Sequence, residues 1–110
     1  MAYALGMVFI ETSLFTKDIR RLLPDEAYRR FQVALMLRPN MGRIIQGSGG
    51  LRKVRWGLSG DGKRGGLRII YYWDRPDTVY LLLAYRKSEQ EDLTPGQLVV
   101  LRRLVKEWLQ

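Results

Sequence analysis

The chain has 110 residues, 46% of them apolar, and carries 19 Lys+Arg against 11 Asp+Glu, a formal charge of +8. That length fits one domain with a modest core, and the apolar content excludes general disorder. Cysteine and histidine are both missing, which excludes disulfides, thiolate catalysis, thiolate zinc sites and the usual neutral-pH acid–base group.

The positive balance suits a partner rich in phosphates. Any catalysis must draw on Lys, Arg, Tyr, Asp, Glu, Ser or Thr. The acids are not spaced like a ligand set, so neither a metal nor another cofactor is expected. No run of 18 apolar residues suits a membrane helix, and the start of the chain lacks the pattern of a secretory signal. The protein therefore reads as cytosolic, with no membrane partner. Residues 1–110 read as a single domain, in which 1–6 form a loose N-terminal extension.

In chain order, Met7–Thr12 alternates around Val8 and Ile10 and predicts a strand. Ser13 is placed to cap a helix through Leu23, with Phe15, Ile19 and Leu22 on one face. Pro24 opens a second helix, Asp25 and Glu26 suit its positive end, and Tyr28, Phe31 and Leu35 give it an apolar stripe. Arg38-Pro39-Asn40 stops it. Nine of the eleven glycines then fall between Gly42 and Gly66, which disfavours helix by about 1 kcal/mol each. Within that region Leu51–Trp56 predicts a strand. Leu67–Trp73, rich in β-branched and aromatic residues, predicts another. Arg75–Asp77 is a turn. Thr78–Lys87 is apolar on both faces and is expected at the centre of the sheet. Thr94-Pro95-Gly96-Gln97 is a capping box with proline at the first helical position, and it opens a helix with Leu98, Leu101, Val105 and Trp108 on one face. The acids of Ser88–Asp92 precede that helix and are assigned to its dipole. The order β-α-α-β-β-β-α predicts an α+β fold, with three helices covering one face of a small, mostly antiparallel four-stranded sheet.

Gly57 to Lys63 spells most of a phosphate-binding P-loop, G-x-x-x-x-G-K. Such a loop must open a helix whose amides bind the phosphates, and the next residue must be Ser or Thr to hold a metal. Here Arg64 follows and a strand comes next, so a nucleotide triphosphatase is rejected. The flanking strands carry the stronger signal. Strand alternation puts Lys53 and Arg55 on one face, and Arg68 starts the neighbouring strand. Arg52, Lys53, Arg55, Lys63, Arg64 and Arg68 crowd into 17 positions with only Asp61 to offset them. Such crowding costs stability unless a polyanion completes it. Lys63 and Arg64 are expected to meet a nucleic-acid backbone, and Tyr72, on the Arg68 face, to stack on a base or pack in the core. Gly65 and Gly66 are expected to let the chain turn and let RNA approach closely.

The stretch GSGGLRKVRW, the basic loop, GGLRIIYYW and then YLLLAYRKSEQEDLT together resemble the RelE/HigB branch of the RelE/ParE bacterial type II toxins, over about Met7 to Trp108. The resemblance implies a RelE-like fold and a ribosome-dependent endoribonuclease that cuts mRNA in the ribosomal A site. It also implies a cognate antitoxin, a helix-turn-helix protein of the HigA kind, that holds the toxin inactive. By position it assigns catalysis to Lys53, Arg55, Arg68 and Lys87, while the hairpin's own charge and alternation put Arg52, Lys63, Arg64 and Tyr72 on the RNA. The sequence departs from the pattern where Ser88 follows Lys87 in place of an arginine, and where Leu93 or Thr94 stands in place of a tyrosine. A ParE-like inhibitor of DNA gyrase and a non-catalytic RNA-binding module are the competing readings.

Overall fold

The structure is a computed structural model that describes residues 2–4, 6–58 and 62–109; for 2–4, 58 and 62–65 the description covers the backbone alone. Six strands, β1 (Ala2–Ala4), β2 (Met7–Glu11), β3 (Arg43–Ile44), β4 (Arg52–Leu58), β5 (Gly62–Asp74) and β6 (Thr78–Arg86), form one sheet in the order β1-β2-β6-β5-β4-β3. Three helices accompany them: α1 (Ser13–Leu22), α2 (Asp25–Leu37) and α3 (Pro95–Trp108). The α+β class and the central position of β6 agree with the sequence. The sheet is larger than expected. Ala2–Ala4, expected as part of a loose extension, pairs antiparallel with β2, and β3 adds a two-residue edge beside Arg52 and Lys53. Both additions complete the backbone hydrogen bonding of a neighbouring strand, which apolar periodicity does not report.

The pairing of β2 with β6 is parallel, whereas the other pairs run antiparallel. Thr12 ties the two ends of this crossover. It caps α1 by accepting from the Phe15 amide at 2.9 Å, and its hydroxyl donates to Leu82 O at 2.9 Å. The cap is therefore Thr12, one residue before the expected Ser13.

The helices do not share one face. Phe15, Ile19 and Leu22 of α1 and Phe31 and Leu35 of α2 pack with Val54, Leu67, Ile69, Tyr71, Val79 and Leu81. Leu101 and Val105 of α3 pack on the opposite side, with Ile70, Leu82, Leu83 and Tyr85. The reason lies in β5 and β6. Leu67–Tyr71 and Leu81–Tyr85 are buried without interruption, so neither face of the middle of the sheet can be left to water. An irregularity assists: Ile70 pairs with Leu83 but Tyr71 with Leu81, so β6 carries one extra residue there. At the start of α3 the expected capping box is complete, Thr94 accepting from the Gln97 amide and Gln97 accepting from the Thr94 amide. No described helix is long and apolar enough to cross a membrane.

Two glycines mark close approaches. At Gly66 a Cβ would lie 2.2 Å from the Trp56 carbonyl oxygen and 2.9 Å from Gly57 Cα. The partner that needs the space is the backbone of β4 at its register shift, in place of the RNA expected there. At Gly42 the amide donates to Tyr71 Oη at 2.9 Å, and the same hydroxyl donates to Pro39 O at 2.7 Å. Burial, the largest influence, raises the Tyr71 pKa, so the phenol stays protonated and keeps the loop after α2 fastened to β5.

Candidate nucleic-acid interface

The basic residues fall into rows fixed by strand register. Arg55 of β4 lies directly opposite Arg68 of β5, which in turn lies opposite Tyr85 of β6. Two residues along, Arg43 of β3 lies opposite Lys53 of β4. Paired residues and residues two apart share a face, so Arg43, Lys53, Arg55, Arg68 and Tyr85 all lie on the α3 side of the sheet. Directly opposed cations repel, so Arg55 and Arg68 disfavour one another at this pair. Arg55 is exposed, whereas Arg68 is only 4% exposed, and one of its guanidinium nitrogens donates to Leu67 O at 3.3 Å. An open groove of about 680 Å³ follows the outer side of β4, lined among others by Arg38, Arg43, Lys53, Arg55 and Trp56.

The segment between β6 and α3 passes over this end of the sheet. Glu89 anchors it, accepting from Arg21 at 2.7 Å and from the Arg86 amide at 3.2 Å. Both donors hold its carboxyl below the usual range, Arg21 first. Asp92 Oδ1 accepts from Lys53 Nζ at 3.0 Å and from the Leu93 amide at 2.8 Å. These bonds, with Lys53 the largest influence and the Arg68 charge a smaller one, keep the Asp92 carboxyl low. Tyr85 is 4% exposed, and its hydroxyl is buried with no hydrogen-bond partner among the described residues. The Leu93 amide, which donates to Asp92 at 2.8 Å, also acts on the phenol oxygen as a backbone donor, so what the hydroxyl lacks among the described residues is an acceptor for its own proton. Burial first, and the Asp92 charge second, push the Tyr85 phenol up to about 12.

The structure thus brings together Lys53, Arg55 and Arg68, three of the four residues assigned to catalysis. Lys87 is exposed one residue beyond β6, and its amide reaches Gly66 O at 3.5 Å, which puts it at the same end of the sheet. Arg52 does not join them. It lies on the opposite face, where it donates to Gly42 O at 2.7 Å and Asn40 O at 3.3 Å and braces the loop after α2. Alternation along β4 separates it from Lys53 and Arg55. Tyr72 shares the Arg68 face but is half-buried in the α3 core, its ring 6.5 Å from that of Tyr80, and a Cβ on Gly50 would come within 3.1 Å of it. That packing favours the core role over base stacking. Lys63 and Arg64 belong to β5 by their backbone, and their side chains lie outside the described residues.

Sequence reasoning does not single out three members of the cluster. Arg43 sits in the glycine-rich stretch, in a strand too short to show a period. In sequence Asp92 reads as serving the α3 dipole, and only tertiary structure brings it to Lys53. Tyr85 had a usable signal, because alternation along β6 places it on the same face as Lys87.

No protein-family profile matches the chain. Among solved structures it is similar to E. coli toxin RelE, in a doubly substituted mutant in the free state, with a TM-score of 0.55 and 14% identity over 79% of this chain and 90% of that one. The sheet flanked by α1 and α2 on one side and α3 on the other, with its basic hairpin, therefore has the fold of the RelE toxin.

Proposed function

We propose that this protein is the toxin of a type II toxin–antitoxin pair and cleaves mRNA in the ribosomal A site. The observation that carries the reading is the convergence of Lys53, Arg55 and Arg68 on one face of β4 and β5, beside a groove lined by further cations. The similarity in fold to toxin RelE supports it. A message held by a ribosome presents single-stranded phosphodiesters, and a row of fixed cations suits them.

The chemistry needs neither metal nor histidine. The 2′-oxygen attacks the adjacent phosphorus, the bond from phosphorus to the 5′-oxygen breaks, and the products are a 2′,3′-cyclic phosphate and a 5′-hydroxyl. Arg68 and Arg55 stabilise the charge that builds on the phosphorane, the larger share of the catalysis. Lys87 takes the 2′-proton while Lys53 holds a phosphate oxygen, and the 5′-oxygen is protonated in the same site. The activity belongs in the cytosol, where ribosomes are. A small partner protein, of the helix-turn-helix kind, holds the toxin inactive by covering the basic face.

Brief induction in cells, followed by mapping of mRNA 5′ ends with and without stalled ribosomes, tests this. New 5′-hydroxyl ends within translated codons, lost when translation is blocked, are expected. Loss of DNA supercoiling without such ends would instead indicate the gyrase inhibitor, and binding of RNA without product the non-catalytic module.

A further inference from the structure

The basic face carries its own anion. Asp92 Oδ1 lies 3.0 Å from Lys53 Nζ, and Arg68 also acts on this carboxylate. Beside it is a donor left over: the buried Tyr85 hydroxyl, on the strand next to Arg68, without a hydrogen-bond partner among the described residues. Buried hydroxyls are almost always satisfied, and an unsatisfied one is a cost unless a ligand completes it. Lys53 and Tyr85 together offer donors to an oxyanion with several acceptor oxygens, and of the two the Asp92 carboxylate accepts from Lys53 alone.

We infer that the Asp92 carboxylate occupies the seat of a substrate phosphate, and that a phosphodiester binds by displacing it from Lys53 and accepting from the Tyr85 hydroxyl. This rests on reading the basic face as a phosphate-binding face and adds how the free protein fills it. The exchange balances charge, one negative group leaving Lys53 as another arrives. It is also easy to start. The Asp92 side chain is 65% exposed, and exposed ion pairs are weak and screened by salt. The incoming phosphate gains what the carboxylate cannot supply, a partner for Tyr85. Asp92 therefore limits affinity for loose anions, and only a ligand held by further contacts along the groove displaces it efficiently.

Calorimetric titration with inorganic pyrophosphate, without RNA, tests the inference. In Asp92→Asn the amide oxygen still accepts from the Leu93 amide, so the turn is kept while the charge is lost. This variant is expected to bind pyrophosphate about five-fold tighter, the scale of an exposed ion pair. Asp77→Asn, in the exposed β5–β6 turn, changes net charge equally and is expected to stay within about two-fold of the parent. Tyr85→Phe is expected to bind about ten-fold more weakly, for loss of a hydrogen bond to a charged group. With a single-stranded oligonucleotide, Asp92→Asn should steepen the salt dependence by about 0.7 in log–log slope. Equal affinities for Asp92→Asn and Asp77→Asn would overturn the displacement, and unchanged binding by Tyr85→Phe would overturn the role of the hydroxyl. A protein with this pyrophosphate pattern that cuts no mRNA would retain the seat and lose the nuclease. One that cuts mRNA without the pattern would do the reverse.

Discussion

Gly66→Ala is the sharpest test of how the basic hairpin is built. A Cβ at that position lies 2.2 Å from the Trp56 carbonyl oxygen, 2.9 Å from Gly57 Cα and 3.0 Å from the Trp56 carbonyl carbon. All three obstacles are backbone, so no side chain can swing away, and β4 must move by about 1 Å to reach ordinary van der Waals distance. Overpacking of this kind costs about 1–3 kcal/mol, and loosening ladder hydrogen bonds beside Trp56 and Leu67 adds about 1 kcal/mol. The expected loss is about 3 kcal/mol in urea unfolding. The same change at Gly96, where a Cβ meets nothing within 4 Å in the first turn of α3, should instead stabilise by about 0.5 kcal/mol. Arg55 and Arg68 form the next pair along from Trp56 and Leu67. A shift of that size there should lower mRNA cleavage about 10²-fold even where the variant is folded. If Gly66→Ala unfolds within about 0.5 kcal/mol of the parent, the close approach of β4 to β5 is wrong, and so is the register that opposes the two arginines.

Arg55→Ala, at an exposed position, should cut cleavage about 10²–10³-fold and leave the urea midpoint unchanged. Arg68→Lys keeps the charge but loses the bidentate fork and should fall by a similar factor. Arg52→Ala, on the other face, should cleave within about three-fold of the parent, and a larger loss would return Arg52 to the site. Tyr71→Phe strips a donor from Pro39 O and an acceptor from the Gly42 amide. It should lower stability by about 2 kcal/mol by chemical denaturation, with little change expected if the loop is held otherwise. At high pH the sign follows from the raised phenols Tyr28, Tyr71, Tyr80 and Tyr85. Unfolded tyrosine ionises near pH 10, so their stabilisation is complete below about pH 10 and is lost as pH rises through the folded values. For Tyr85 that window closes at about 12. Between pH 10 and 12, Tyr85→Phe should therefore flatten the fall in stability by about 1 kcal/mol per pH unit, and an unchanged slope would contradict the buried setting of its hydroxyl.

Sequence carried the helices, the central strands and most of the cation cluster, because these depend on local period and on alternation. Phe15, Ile19 and Leu22 repeat at helical spacing, and Lys53 and Arg55 alternate around Val54, so both faces could be read directly. What escaped reading depends on pairing between distant segments. The split of the helices follows from β5 and β6 being buried on both faces, a statement about neighbours more than about either strand. Arg52 and Arg55 look alike in a list of cations, and only the side of the sheet divides a brace from a site. Asp92 reaches Lys53 across 39 positions, a contact that no spacing rule predicts. Gly66 reads as a position that needs space, and the occupant is the neighbouring strand.

The parallel pairing of β2 with β6 also governs the order in which the molecule can assemble. The β5–β6 hairpin closes across the short Arg75–Asp77 turn, whereas Thr12 meets Leu82 over a separation of 70 residues. At about 0.6 kcal/mol per doubling of loop length, the longer closure costs about 2.5 kcal/mol more. A chain made from its N-terminus must therefore keep the apolar residues of β2 waiting until β6 exists, while the meander that carries Arg55, Arg68 and Tyr85 can form by itself. Pulse-labelled hydrogen exchange during refolding should find the β5–β6 amides protected before those of β2. The basic rows are then old news to the folding chain by the time its first strand finds a place.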